Sequence, residues 1–134
     1  MKKLTVVSPA YNEEDSLIEF YHRLTSVLDA LEDLDYEVIM VNDGSIDGTS
    51  NIIRELHEKN PKWRGIHLSR NFGHQASIAA GLRYATGDLI AIMDSDLQDS
   101  PEALPEFVSY WKTGYQVVYA VRAKRKEGLA KRFF

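Results

Sequence analysis

The sequence has no cysteine among its 134 residues, which excludes disulfide bonds and metal sites built on thiolates. No apolar run approaches the roughly 18 residues that a membrane-spanning helix needs. The apolar run near the N-terminus, residues 4–7, is also too short for the core of a signal peptide. With 44% apolar and 27% charged residues, the composition predicts an ordinary globular chain.

Several common nucleotide-binding and catalytic motifs are missing as well. No G-x-G-x-x-G follows the first predicted strand, which disfavours a nicotinamide-dinucleotide fold, and the P-loop motif does not occur. No G-x-S-x-G nucleophile elbow is present. A phosphoacceptor receiver domain needs an acid pair after its first strand, where this chain has Pro9, Ala10 and Tyr11. The histidines lack the spacing of metal ligands, although His74 stands where it could touch a ligand.

The charge is divided unevenly along the chain. The formal net charge is −4, but residues 122–134 are mostly basic, with Glu127 as their single acid. The body of the chain is therefore acidic. A nucleic-acid-binding domain would be basic over one face of its fold, so we expect no nucleic-acid partner.

Apolar runs bounded by turn residues predict strands at 4–8, 36–41, 65–68, 89–93 and 116–121, and the run at 89–93 is expected to be buried. Helical periodicity fills the intervals. Gly87 is predicted to cap the third helix, and Pro105 to make the fourth helix irregular in its first turn. This alternation predicts an α/β fold with a doubly wound, mainly parallel sheet. We expect one α/β domain over residues 1–121 and a basic tail over residues 122–134.

Polar residues follow the predicted strands, and ligands in open parallel sheets bind outside those carboxyl ends. The candidate binding site therefore lies at this edge of the sheet. The residues at the strand ends are Pro9, Ala10, Tyr11, Asn12, Asn42, Asp43, Ser69, Arg70, Asn71, Asp94, Ser95, Asp96 and Arg122.

The stretch LIAIMDSDLQDSPE at 89–102 carries the most chemical information. Carboxylates crowded at a strand end raise each other's pKa, and a divalent cation removes that cost. Asp94 and Asp96, with a carbonyl of Gln98, are oxygen donors that suit Mg²⁺ or Mn²⁺ rather than zinc. The alternative is that Asp94, Asp96 and Asp99 are only turn and capping residues.

The motifs PAYNEE at 9–14, VNDGSIDGT at 41–49, LSRNFGHQASIAAGL at 68–82 and MDSDLQDSPE at 93–102 resemble those of family 2 glycosyltransferases. They are most similar to the branch of dolichyl- and polyprenyl-phosphate sugar transferases. The similarity covers nearly the whole chain, with the motifs in order. It implies a GT-A nucleotide-sugar-binding fold that continues beyond residue 134, and sugar transfer from a nucleotide donor with inversion.

The resemblance also implies roles for individual residues. The nucleotide would be lined by Pro9, Ala10, Tyr11 and Glu13, and its base would meet Asp43, beside an Asn42 that replaces the Asp of many relatives. Asp94 and Asp96 would handle diphosphate and metal, with Gln98 as a further metal ligand, and Arg122 and Arg125 would approach phosphates. Ser95 and Arg70 would also contact the substrate. Asp99 is the nearby candidate for a catalytic base. In the alternative interpretation Gly44 and Gly48 are turn residues, Tyr11 packs and Arg70 forms a structural ion pair.

The implied partners are a nucleotide-sugar donor and a lipid-phosphate acceptor, with UDP-glucose favoured over GDP-mannose. A missing C-terminal part would reach the cytoplasmic face of a membrane. The protein is otherwise expected to be cytoplasmic. A homo-oligomer is compatible with the sequence. The fragment alone is expected to bind donor and metal but to transfer little sugar. Two alternatives stay open: a non-catalytic nucleotide-sugar-binding or assembly module, and a sugar-nucleotide pyrophosphorylase, for which PAYNEE lacks the glycine-rich basic loop.

Overall fold

Strands and helices alternate along the chain, as the apolar periodicity predicts. The computed structural model describes residues 1–114, 118–120 and 130–133. Pro101 opens a short 3-10 helix ahead of the fourth α-helix, which confirms the irregular first turn expected from Pro105. The elements are β1 (Lys2–Ala10), α1 (Leu17–Asp29), β2 (Leu34–Asn42), α2 (Thr49–Lys59), β3 (Trp63–His67), α3 (His74–Tyr84), β4 (Leu89–Ile92), the 3-10 helix (Pro101–Ala103), α4 (Leu104–Lys112), β5 (Val118–Ala120) and β6 (Ala130–Phe133).

The main sheet has four strands in the order β3-β2-β1-β4, and every pairing is parallel. The register places Ala10 opposite Asn42, and Asn42 opposite His67. The chain therefore leaves β1, β2 and β3 at the same edge of the sheet. The predicted α/β class with a mainly parallel sheet is confirmed, and the polar strand ends do meet.

Helices cover both faces of this sheet. On one face Phe20 and Tyr21 of α1 meet the buried indole of Trp63, with ring centroids 6.0 and 4.8 Å apart. On the other face α3 lies on a smaller apolar cluster that contains Val7 and Val41. Burial of these side chains, at about 25 cal/mol per Å², is the main stabilising contribution.

The predictions for the fourth strand and for Gly87 were wrong. The strand at 89–93 is shorter and is not fully buried, because Ile90 and Ile92 are 42% and 48% exposed. Within the described residues β4 has β1 as its one neighbour, so it is an edge strand. Gly87 does not cap α3, which ends at Tyr84. Its backbone N–H instead donates to Thr5 Oγ1, where the chain returns against β1.

The predicted fifth strand does not extend the parallel sheet. The described part, β5, pairs antiparallel with β6 in a separate two-stranded sheet. β6 lies inside the predicted basic tail, where no strand was predicted. Residues 115–117, 121–129 and 134 lie outside the described part of the chain, and so do Arg122 and Arg125. In the part that the structure describes, we find no helix with the length and apolarity needed to span a bilayer.

Candidate active site at the carboxyl edge of the sheet

The loops after β1 and β2 are joined by side chain–backbone hydrogen bonds. Asn12, at a positive φ of 53°, accepts the Ile46 N–H at 2.9 Å, and its own N–H donates to Ser45 Oγ at 2.9 Å. The next amide, that of Glu13, donates to Thr49 Oγ1 at 2.8 Å. These bonds join the loop after β1, within PAYNEE, to the loop after β2, within NDGSIDGT. They bring the Glu13 side chain to the site.

Asp43 fixes the loop between β3 and α3. Its side chain is buried, and its two carboxylate oxygens accept the backbone N–H groups of Phe72 at 2.8 Å and Gly73 at 3.1 Å. The Asn71 amide also donates to the Asp43 carbonyl. The resemblance implies that Asp43 meets the nucleotide base. In the structure its carboxylate binds the backbone at the start of α3.

Asn42 turns away from the site. Its Oδ1 accepts the Ser45 N–H at 3.0 Å, while its Nδ2 contacts Ser50 Oγ and His67 Nδ1, both at 3.0 Å. Burial, with the nearby charge of Arg54, lowers the pKa of His67. A neutral imidazole can accept from the amide through Nδ1. Asn42 therefore ties β2 to α2 and β3, and it is not in the cavity described below.

The acidic loop after β4 is held by contacts of its own. Asp96 Oδ1 accepts the Gln98 N–H at 3.0 Å, and Asp99 Oδ2 accepts the Asp94 N–H at 3.2 Å. Buried Ser95 donates from Oγ to the Pro9 carbonyl at 3.1 Å. This last bond joins the end of β4 to the end of β1, so the Asp94 and Asp96 carboxylates project next to the first loop.

His74 crosses the site from the other side. It is the first residue of α3, and its Nε2 lies 2.9 Å from Asp94 Oδ1. An ionised carboxylate is an acceptor only, so the imidazole is the donor in this contact. Loops from four parallel strands thus meet around one concave surface.

This surface is a cavity of about 270 Å³. Most predicted site residues line it, whereas Asn42, Arg70, Gln98 and Asp99 do not, and Arg122 and Arg125 lie outside the described residues. Arg70 stacks on the Phe72 ring at 4.1 Å instead. Asn71 was predicted at the strand-end edge and His74 as a possible ligand contact, but neither was given a role, and Gly73 was not singled out. The lining residues are Pro9, Ala10, Tyr11, Glu13, Asp43, Asn71, Gly73, His74, Asp94, Ser95 and Asp96.

The cavity concentrates negative charge. Burial raises the pKa of the Glu13 carboxyl, and the charges of Asp96, Asp94 and Asp47 raise it further. None of the lining residues, all of which belong to the described part of the chain, is a lysine or arginine. Like charges held together are costly unless a cation compensates them. The site is therefore built to receive positive charge.

The oxygen donors fit a magnesium or manganese ion that keeps open positions. Within the described residues no group of three or more His, Cys, Asp or Glu has the geometry to enclose a metal. Mg²⁺ usually takes one or two carboxylates and completes its shell with water and substrate phosphates. In that mode Asp94 and Asp96 would be the protein ligands, with water and substrate phosphates completing the shell.

A larger cavity of about 710 Å³ lies beside β3. Among the described strands β3 has β2 as its one neighbour, and the lining of the cavity includes Ile53, Arg54, Arg64 and Tyr84. None of its lining residues comes from the loops after β1 and β4 that carry Glu13, Asp94 and Asp96. The candidate catalytic and metal-binding carboxylates therefore line the smaller cavity.

Comparison with known proteins agrees with this geometry. The profile of the family described as "Glycosyl transferase family 2" matches residues 5–133. The chain belongs to that family. This confirms the resemblance drawn from the four motifs.

Two relatives and one solved structure illustrate the similarity. The chain is 49% identical over 122 residues to the glycosyltransferase YkcC of Bacillus subtilis (strain 168), with 91% of this chain and 38% of that protein covered. It is 41% identical over 128 residues to the undecaprenyl-phosphate 4-deoxy-4-formamido-L-arabinose transferase of Aeromonas hydrophila, with 95% and 39% covered. The chain therefore spans less than two-fifths of either relative.

The solved structure is the mannosyltransferase PcManGT from Pyrobaculum calidifontis, in complex with GDP-Man and Mn²⁺. It matches with a TM-score of 0.70 and 27% identity, covering 92% of this chain and 35% of that one. Such a match over almost the whole chain confirms the GT-A-type α/β fold.

Proposed function

We propose that this chain is the donor-binding part of a glycosyltransferase that moves a hexose from a nucleoside-diphosphate sugar. The observation that carries the proposal is the acidic cavity, where Asp94 and Asp96 face Glu13 at the carboxyl edge of a parallel sheet. A diphosphate is itself anionic, so it enters such a cavity together with a divalent cation.

In this proposal each carboxylate of the D-x-D stretch has a role. Asp94 and Asp96 hold the cation, which when bound stabilises the charge that develops on the leaving diphosphate. Asp96 is oriented by the Gln98 N–H. The Gln98 side chain does not line the cavity, so it is a weaker candidate for a metal ligand than either aspartate.

The nucleoside occupies the side of the cavity formed by the loop after β1. Tyr11, which is 46% exposed, offers an aromatic face there, and the buried Asp43 also lines the cavity. The resemblance favours UDP-glucose as donor, and the GDP-Man bound by PcManGT supports GDP-mannose as the second candidate.

The acceptor in this proposal is a polyprenyl-phosphate-type lipid, reached at the cytoplasmic face of a membrane by the longer protein. The name of the Aeromonas relative supports this acceptor class. A phosphate with a second pKa near roughly 6 is already anionic at pH 7, so inverting attack needs no strong base. Asp99 then serves the loop, where it accepts the Asp94 N–H, rather than the acceptor.

Calorimetric titration of the chain tests the proposal. UDP, GDP, UDP-glucose and GDP-mannose are each titrated with Mn²⁺ and then with EDTA. We expect binding that requires the metal and that weakens at least about tenfold, or about 1.4 kcal/mol, in Asp96→Asn. Asp33→Asn removes an exposed carboxylate that pairs with Lys112, and it serves as the control that binds normally.

The possible outcomes separate the alternatives. A folded wild-type chain that binds none of these nucleotides contradicts the proposal. Metal-dependent binding by this chain together with no sugar transfer by the longer protein would favour the non-catalytic binding module instead.

A further inference from the structure

The contact between His74 and Asp94 joins two elements across the cavity. His74 Nε2 on α3 and Asp94 Oδ1 after β4 are 2.9 Å apart, with side chains 58% and 30% exposed. We propose that His74 is a positioning residue that sets the orientation of the Asp94 carboxylate for the donor complex. This inference rests on the proposed function and adds a residue that none of the motif roles includes.

Hydrogen bonds of the neighbouring backbone fix the position of His74 at the start of α3. The two amides before it, those of Phe72 and Gly73, donate to the buried Asp43 carboxylate, and the Ser77 N–H closes the first helical turn on the Gly73 carbonyl. The imidazole therefore starts from a backbone anchored to β2. The backbone anchor limits where the His74 imidazole can lie, and it places that imidazole beside the Asp94 carboxylate.

The Asp94 carboxylate lies among like charges. It shares the cavity with Asp96 and Glu13, and the charges of Asp96 and Asp94 both raise the pKa of Glu13. Repulsion of this kind drives a carboxylate away from its neighbours unless a donor opposes it. The His74 N–H on Oδ1 supplies an attraction of that kind to the Asp94 carboxylate.

Partners that orient ligating groups typically change metal affinity by about 10–100-fold when removed. We therefore expect His74→Ala to weaken Mn²⁺-dependent binding of UDP, or of GDP if that is the preferred nucleotide, by about 10–100-fold. His74→Gln keeps an N–H at a similar reach and should recover most of the binding. His74→Asn has a shorter reach and should not.

The experiment is calorimetric titration of these variants with nucleotide and Mn²⁺, together with His22→Ala, which removes an exposed helix histidine elsewhere. The same substitution is then made in an Asp94→Asn background. If His74 acts through Asp94, the second substitution adds no further loss there. Melting temperatures should stay within about 2 °C of the parent chain, because both side chains are partly exposed.

Three outcomes would overturn the inference. Binding by His74→Ala within twofold of wild type shows that the contact does no positioning. Losses that multiply in the double variant show that His74 touches the ligand directly. Failure of the folded wild-type chain to bind any nucleotide overturns the proposed function, and this inference with it, whereas the first two outcomes leave the proposed function intact.

Discussion

Single glycines decide whether the loops can approach one another at the site. Gly44 has φ +72°, and a Cβ built on it would lie 2.2 Å from the Arg70 carbonyl carbon and 2.4 Å from the Asn71 nitrogen. Both neighbours are backbone atoms, so they cannot move aside without moving the loop. The loop after β2 thus supports the loop after β3 only because this residue has no side chain.

Gly44→Ala should therefore destabilise the fold by roughly 2–4 kcal/mol and weaken nucleotide binding, because strain and a backbone clash act together. The control is Gly114→Ala. Gly114 has φ +107°, but among the described residues, its chain neighbours aside, no atom lies within 4 Å of the added Cβ, so it should cost only about 1 kcal/mol of backbone strain. Urea unfolding of both variants measures the difference, and equal costs would contradict the role of the clash.

Glu13 illustrates a side chain that serves the site at the expense of stability. Burial and the charges of Asp96 and Asp94 raise its pKa above the usual value of 4.5. The ionised form is then disfavoured in the folded chain. Above the folded pKa this costs stability, and below pH 4.5 both states are protonated and the cost disappears.

Glu13→Gln should accordingly be more stable than wild type at pH 7, by at most about 1 kcal/mol because the carboxyl is partly solvated. The advantage should shrink as the pH is lowered to 4. Adding Mn²⁺ at pH 7 should also shrink it, because a bound cation offsets the same repulsion. Thermal unfolding at both pH values checks this, and a pH-independent difference would argue against the electrostatic cause.

At the scale of elements, α3 packs on the sheet through a glycine. A Cβ on Gly81 would lie 2.4 Å from Val7 Cγ1 and 3.1 Å from Val41 Cγ2. The helix therefore lies close to β1 and β2, and its first residue, His74, is held at the site. Close packing here determines where the N-terminus of α3 points.

Gly81→Ala should destabilise the fold, although glycine-to-alanine substitutions in helices usually stabilise it. Glycine to alanine inside a helix normally stabilises by about 1 kcal/mol, but overpacking a core costs typically 1–3 kcal/mol. We expect net destabilisation, measured by chemical unfolding. Combining it with Val7→Ala, which removes the methyl that would be struck, should recover part of the loss, and simple addition of the two costs would contradict this packing.

Elements were predictable wherever local pattern determines them. The apolar runs that become β1, β2 and β3 end in polar residues, and parallel pairing then brings those ends together without further information. The exposure of Ile90 and Ile92 was not predictable, because an apolar run does not reveal how many neighbours a strand has. β5 was misplaced for the same reason: a strand pattern does not state its partner.

The site was predictable at the level of its edge and less so at the level of its contacts. Asp94 and Asp96 follow a strand, so their place is set by topology. The direction of the Asn42 amide towards His67, and the use of Asp43 on two backbone amides, depend on the folded loops. His74 was visible in the motif LSRNFGHQ, but its partner Asp94 is distant in sequence.

At the scale of the whole molecule, one buried carboxylate links several elements at the edge opposite the site. The Glu37 carboxylate on β2 accepts three hydrogen bonds. Their donors are the Thr5 hydroxyl of β1 at 2.7 Å, the Arg64 guanidinium of β3 at 2.7 Å and the Thr86 backbone N–H at 2.8 Å. Burial alone would raise the pKa of Glu37, but the bonds from Thr5 and Thr86, with the charge of Lys3, lower it to about 2.

This lowered pKa has a definite sign for stability. A carboxyl with a folded pKa of about 2 and an ordinary value of 4.5 contributes roughly 3 kcal/mol above pH 4.5, and that contribution is lost as the pH falls towards 2. Glu37→Gln should therefore cost about 3 kcal/mol at pH 7 and should lack this part of the acid sensitivity of the wild type.

Glu102 provides the matched control for this prediction. Its pKa is also lowered to about 2, chiefly by the hydrogen bond from Arg23, but the side chain is 52% exposed. Solvent screens such a pair, and exposed ion pairs contribute about 0–1 kcal/mol. Urea unfolding at pH 7 and pH 3 should thus separate the two variants: Glu37→Gln strongly destabilised at pH 7 and converging on wild type in acid, and Glu102→Gln nearly unchanged. Equal effects of the two substitutions would contradict the prediction, because they would show that burial does not increase the stability that a carboxylate of lowered pKa confers.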